Sequence, residues 1–270
     1  MPSFLAYLRE QSNTASLPPR IVIYGTSKIG KSTFCAAAPD CVFLPLEDGL
    51  AGLHDVAAFP LATSYQQALD NLQTLIDHDH DAKTLVIDSI DWLEKLIHRH
   101  VAEAHGKSSI EEWAYGKGYV FATDEWIQLL VKLDELRAKK GMMIMLIAHH
   151  ETKTFNDPLA ESYHVYGLKL HKSANEKVQE WADVIGFANY KTFTLTEKTG
   201  FAERKRVGGS GERVLHLKQR AGFLAGNRFG MKAEIPLDFS AFDAEFTDKQ
   251  GRPLVSVLPT SQDSEHDNAN

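Results

Sequence analysis

Apolar residues in this chain come either as short unbroken runs or as single positions recurring every third or fourth residue. Ile21-Val22-Ile23-Tyr24, Leu85-Val86-Ile87 and Met142–Ala148 are runs of the first kind, and Cys41–Leu46 reads as a fourth. Runs without alternation predict strands covered on both faces. The second kind marks helices: residues 31–38 closed by Pro39, the set Ala68, Leu69, Leu72, Leu75 and Ile76, and residues 91–104. A long amphipathic helix carries Phe121, Trp126, Ile127, Leu130, Leu133 and Leu136. Strands alternating with helices predict an α/β fold, a mainly parallel sheet flanked by helices.

Beyond Ala148 the pattern loosens into a helix near 173–182 and strands near 184–195, 201–207 and 212–218, a C-terminal β-rich extension. Gly208-Gly209-Ser210-Gly211 fits a hairpin loop between the last two strands. Residues 1–19 read as an N-terminal arm ending at Pro18-Pro19, residues 20–235 as the main domain, and 236–270 as a C-terminal segment. From residue 260 that segment is acidic and nearly free of apolar residues, the composition of a disordered tail. Residues 105–119, HGKSSIEEWAYGKGY, read as a polar loop with three aromatics.

Charge and composition narrow the function. A net charge of −7 over 270 residues excludes uniform basic wrapping of nucleic acid, yet residues 153–220 hold twelve Lys/Arg against eight Asp/Glu, so that stretch is +4 and the remainder −11. No apolar run is long enough for a membrane helix, and the first residues lack the basic-then-apolar order of a secretion signal. Two cysteines, Cys35 and Cys41, form no disulfide framework and no metal-binding pair. A reducing, cytoplasmic location is expected.

The strongest motif is Gly25-Thr26-Ser27-Lys28-Ile29-Gly30-Lys31-Ser32, which follows a buried strand and opens a helix. It matches G-x-x-x-x-G-K-[ST], a loop whose backbone N–H groups cradle phosphates with help from the helix N-terminus. Lys31 is placed to meet the β- and γ-phosphates, Ser32 to ligate Mg2+, and Thr33 to continue the cradle. Lys28 is either merely exposed or meets a phosphate from outside. Asp88 ends the strand Thr84–Asp88 and supplies the second carboxylate that magnesium requires. The residue after it is Ser89, so the water-activating base must come from elsewhere. Glu47, at the end of the second strand, is the candidate base, and a solvated turn acid is its competing reading; Asp48 and Asp91 stand next in line. His149, ending the strand Met142–Ala148, is a candidate γ-phosphate sensor. A metal shared with His150 is disfavoured, because neighbouring strand residues face opposite ways.

In this order of parts the chain resembles the RecA-like P-loop ATPase core over roughly residues 20–235, and especially the phage RecA-like ATPases of the single-strand-annealing (Sak) type. VIDSIDWL is similar to the family's second nucleotide motif and PLEDGL to the segment with its catalytic Glu. The resemblance implies ATP and Mg2+ as cofactors, single-stranded DNA as partner, a homo-oligomer, and a single-stranded-DNA-binding protein as a further partner. In a phage protein the location becomes the host cytoplasm. Gly226-Asn227-Arg228-Phe229-Gly230 resembles the KNRFG motif of RadA-type ATPases, in which basic residues reach a neighbouring subunit's nucleotide. The lysine is replaced here by Gly226, which leaves Arg228 as the only such candidate, beside the reading of an ordinary surface arginine.

Segments 107–119 and 151–172 occupy the places of the two DNA loops of RecA-type recombinases. Tyr115, Lys117, Lys153, Tyr166 and Lys169 are the candidate DNA contacts, since aromatic faces interleaved with cations suit single strands. The competing reading is that these tyrosines pack a small subdomain. Two other functions compete: a low-turnover ATP-dependent switch regulating a protein partner, and a small-molecule kinase, which the long tyrosine-rich tract after His149 ranks last.

Overall fold

The computed structural model describes residues 17–156, 161–199 and 202–246, with the backbone alone for 193–199 and 202–207. Arm residues 1–16 and the acidic tail lie outside the described residues. The described elements in chain order are β1 (Arg20–Gly25), α1 (Lys31–Ala36), β2 (Cys41–Pro45), β3 (Ala57–Ala58), α2 (Tyr65–Asp77), β4 (Thr84–Asp88), α3 (Ile90–Ala104), α4 (Lys117–Lys140), β5 (Met143–Phe155), β6 (Tyr163–Leu168), α5 (Lys172–Trp181), β7 (Val184–Thr199), β8 (Ala202–His216), β9 (Gly226–Asn227), β10 (Glu234–Pro236) and α6 (Phe239–Asp243).

The sheet runs β10-β8-β7-β1-β5-β4-β2-β3, with β6 on β5 and β9 on β7. The six strands from β7 to β3 are parallel, as the run pattern predicts for the core of the sheet. Period-2 geometry sends Val22 and Tyr24 of β1 into the core under α2–α5, and Ile21 and Ile23 into the core on the other face. The second core holds α1 and the C-terminal helix α6. Phe239 and Phe242 pack there against Phe34 of α1, with Phe246 behind them on Phe242, each burial worth about 1.5–3 kcal/mol. The helix that follows the phosphate loop is thereby wedged against the sheet.

Two segments differ from their sequence reading. Gly208–Gly211 is no hairpin loop; it lies inside β8, which pairs with β7 from Ala202 to His216. The register shifts between Tyr190 and Thr192, and Gly211 there adopts φ 77°, so the glycine run forms a bulge. Composition is alike for a glycine turn and a glycine bulge, and strand pairing decides between them. The tract 151–172, expected as a loop, holds a β-hairpin in which Glu151–Phe155 pair antiparallel with Tyr163–Gly167. Its polar Thr, Lys and His residues carry no apolar alternation that would disclose strands. No described helix is long and apolar enough to cross a membrane.

Candidate nucleotide site

Parallel strands carry their ligands at the C-terminal edge of the sheet, and here β1, β2 and β4 end on one cleft, which β5 passes at His149 rather than ending there as its sequence suggests. The cleft has a volume of about 510 Å³ and is lined by Ser27, Lys28, Gly30, Lys31, Ser32, Thr33, Glu47, Asp88 and His149, with Gly49, Gly52, Leu53 and Ile147. The loop after β1 is held from three sides. Gly25 sits so close to β7 that a Cβ would stand 2.0 Å from the Ala188 carbonyl oxygen, and its φ is 151°. Gly30 has φ 105°, and Arg213 Nη1 would lie 2.6 Å from a Cβ there. That same nitrogen donates to the Ile29 carbonyl at 3.2 Å, while the Ile29 side chain is fully buried. Arg213 comes from β8, two strands away, and nothing in the local sequence announces it.

Lys31 is 7% exposed and donates to the carbonyls of Gly25 (3.1 Å) and Thr26 (3.0 Å). Burial lowers its pKa, and Asp88, Asp91 and Glu47 oppose that by stabilising the cation. Ser32 Oγ donates to Asp88 Oδ2 at 2.6 Å. Burial raises the Asp88 pKa against the pull of that bond. A hydroxyl and a carboxylate in contact beside a phosphate-binding loop are the hard oxygen donors that magnesium takes together with phosphates and water. The pair fits the ion, which would neutralise phosphate charge from that position.

Glu47 follows β2 and receives the Ser89 hydroxyl at 2.8 Å. His149 donates its backbone N–H to Asp91 Oδ1 (3.0 Å), and its ring Nδ1 lies 3.0 and 3.1 Å from the two oxygens of the same carboxylate. The Asp91 hydrogen bond raises the His149 pKa; burial opposes it and the Glu47 charge adds to it. Burial pushes Asp91 upward, but the His149 bonds outweigh it and hold the carboxyl below its usual range. Glu47 Oε1 and His149 Nδ1 are 4.0 Å apart. Lys31, the Ser32–Asp88 pair, Glu47 and His149 thus come together on one cleft.

Residues 17–229 match the sequence profile of an AAA domain, most of the described chain. The chain belongs to this AAA domain family. Its mixed α/β core with a mostly parallel sheet is that of a P-loop NTPase, and membership in the family makes it a nucleotide-binding protein of the ATPase type. No individual curated protein matches the sequence.

Around this AAA core the remaining candidates scatter. Arg228 donates to Asp183 Oδ1 (3.0 Å) and to the Glu180 carbonyl (2.9 Å). Asp183 also holds Arg20 at the start of β1, so this arginine lies at the sheet edge opposite the loop, about 16 Å of strand away. Tyr115 is wholly exposed at φ 57°, just before Lys117 opens α4. Lys117 lies 5.6 Å from the Phe121 ring. Lys153 and Tyr166 stand on the β5–β6 hairpin and Lys169 follows it, its N–H donating to the His149 carbonyl. Lys153 pairs with Glu151 at 2.6 Å. Tyr166 stacks on Phe187 at 5.2 Å, yet keeps 38% of its surface exposed. The two candidate DNA segments meet where Tyr119 stacks on His171 at 3.9 Å, so that tyrosine is a packing residue. Sequence reasoning considers Asp91 only as a substitute base and misses Ser89 and Glu94 as partners; the one available signal is their spacing at the start of one helix.

Proposed function

We propose that this AAA-domain protein is a Mg2+-dependent ATPase of RecA-like type that acts on single-stranded DNA in recombination or annealing. The observation that carries the ATPase part is the convergence of Lys31, the Ser32–Asp88 pair, Glu47 and His149 on one cleft. Glu47 is the base that orients water for attack on the γ-phosphate, and His149 meets the phosphate oxygens, a division of labour in which positioning and charge supply the catalysis. The DNA part is supported by the hairpin that begins one residue after His149. It presents Lys153 and a part-exposed Tyr166, and Tyr115 is separately exposed before α4. Arg228, bonded to Asp183 and the Glu180 carbonyl, keeps 56% of its side chain exposed, and in a homo-oligomer it would have to leave those partners to meet a neighbouring subunit's nucleotide.

ATP turnover measured with and without single-stranded oligonucleotide tests both parts. Stimulated turnover is expected. Turnover indifferent to DNA leaves an ATP-dependent switch acting on a protein partner, and no turnover in the presence of Mg2+ removes the ATPase reading.

A further inference from the structure

We infer that Ser89 and Asp91 are positioning residues for hydrolysis, Ser89 setting the Glu47 carboxylate and Asp91 setting the His149 ring. The inference rests on the ATPase reading above and assigns the parts that give the cleft its shape.

The turn from β4 into α3 sends three side chains to three different elements. Asp88 meets Ser32 on α1, Ser89 meets Glu47 beyond β2, and Asp91 meets His149 on β5. Ser89 is fully buried and Asp91 is 4% exposed, so neither can be swung aside by solvent. Glu47, by contrast, stands on a turn whose next residues, Asp48 and Gly49, are exposed. A carboxylate on such a turn holds one rotamer only if a donor fixes it, and the Ser89 hydroxyl is that donor. Glu47 Oε1 in turn lies 4.0 Å from His149 Nδ1, so the Ser89–Glu47 and Asp91–His149 pairs adjoin in the cleft.

Asp91 does two things to His149. Accepting both the backbone N–H and ring Nδ1–H fixes the imidazole plane and leaves Nε2 as the nitrogen free for a ligand in the cleft. Its charge also favours the protonated ring. The charged groups acting on His149 are Asp91 from α3, Glu47 from the turn after β2, Lys31 from α1 and Asp88 from β4; burial, and to a smaller extent Lys31, oppose protonation. A His149 held in one orientation, with its protonated form favoured, suits the charge that develops on a transferring phosphoryl group. Catalytic groups must be held within about 0.5 Å of their working place, and the residues behind them do that holding.

The test is steady-state Mg·ATP hydrolysis across pH for the wild type, Ser89→Ala, Asp91→Asn, His149→Gln and the Asp91→Asn/His149→Gln double variant, with melting temperatures alongside. Ser89→Ala is expected to lower kcat about tenfold, the rate equivalent of one net hydrogen bond, with KM for ATP unchanged. Asp91→Asn is expected to move the alkaline fall of kcat to lower pH, since the imidazolium loses its anionic partner. It should cost nothing further once His149 is Gln. A wild-type pH profile in Asp91→Asn, or an equal loss with and without His149, overturns the role of Asp91. Wild-type kcat in Ser89→Ala overturns that of Ser89. If Asp91→Asn fails to fold, the Ser89→Ala/Glu47→Gln pair decides, because Ser89→Ala should be silent once the carboxylate is gone. Lys31→Ala separates the two levels. If hydrolysis survives it the ATPase site lies elsewhere, whereas if it abolishes hydrolysis and the other variants match wild type, only the positioning roles fall.

Discussion

Glu94 lies one helical turn beyond Asp91 on α3 and is 8% exposed. Both of its carboxylate oxygens accept from one donor, the His171 N–H at the start of α5, at 3.0 Å each. Burial, with smaller contributions from the nearby charges of Asp91 and Glu151, pushes its pKa from 4.5 up to about 7, while the His171 bond and Lys153 pull the other way. A carboxyl raised in the folded state binds more protons there than in the unfolded chain between these two values. Its contribution to stability is complete below pH 4.5 and is lost as pH rises through about 7. At about 1.4 kcal/mol per pKa unit, the loss is about 3 kcal/mol. Glu94→Gln keeps the shape and one acceptor for the His171 N–H but cannot ionise. Urea unfolding of wild type and Glu94→Gln at pH 4 and pH 8 should therefore show the variant gaining about 3 kcal/mol relative to wild type between the two conditions. Other titrating groups are common to both proteins and cancel in the difference. A difference in unfolding free energy that stays constant with pH would refute the argument, since it would mean that Glu94 is ionised at no cost in the folded protein.

Lys31→Ala should abolish hydrolysis and weaken binding of a fluorescent ATP analogue. Glu47→Gln should retain that binding and lose turnover by about 10²-fold or more. Tyr115→Ala should leave the melting temperature unchanged, because the ring touches little, and should weaken single-strand binding by about 1–3 kcal/mol in fluorescence anisotropy; Tyr166→Ala should lower both, because its ring also packs on Phe187. Lys169→Ala should reduce the salt dependence of oligonucleotide binding by about one phosphate contact. Gly25→Ala should destabilise the fold by about 1–3 kcal/mol from backbone conformation alone, read by urea unfolding, with more from the clash at Ala188.

What the chain declares on its own is whatever local physics writes into consecutive residues. The strand runs, the glycines and lysine of the phosphate loop and the aspartate that ends Thr84–Asp88 are legible, because a buried strand, a tight anion-binding turn and a strand-end ligand each need particular residues in unbroken order. Glu47 is legible more weakly, as a polar residue after a strand end, and His149 only as the residue after an apolar run, because β5 runs on through it to Phe155 and only its parallel pairing stops there. Tertiary structure alone decides the partners. Arg213 reaches the loop from two strands away, Ser89 fixes a glutamate that lies 42 positions earlier, and Asp91 holds a histidine 58 positions later. Asp183 gathers Arg20 and Arg228 at the edge away from the cleft, where no motif distinguishes that arginine from one facing a nucleotide. The hairpin after His149 and the bulge at Gly211 belong with these. Their residues are polar or glycine, so no burial pattern marks them, and only the pairing of distant backbone groups makes them strands.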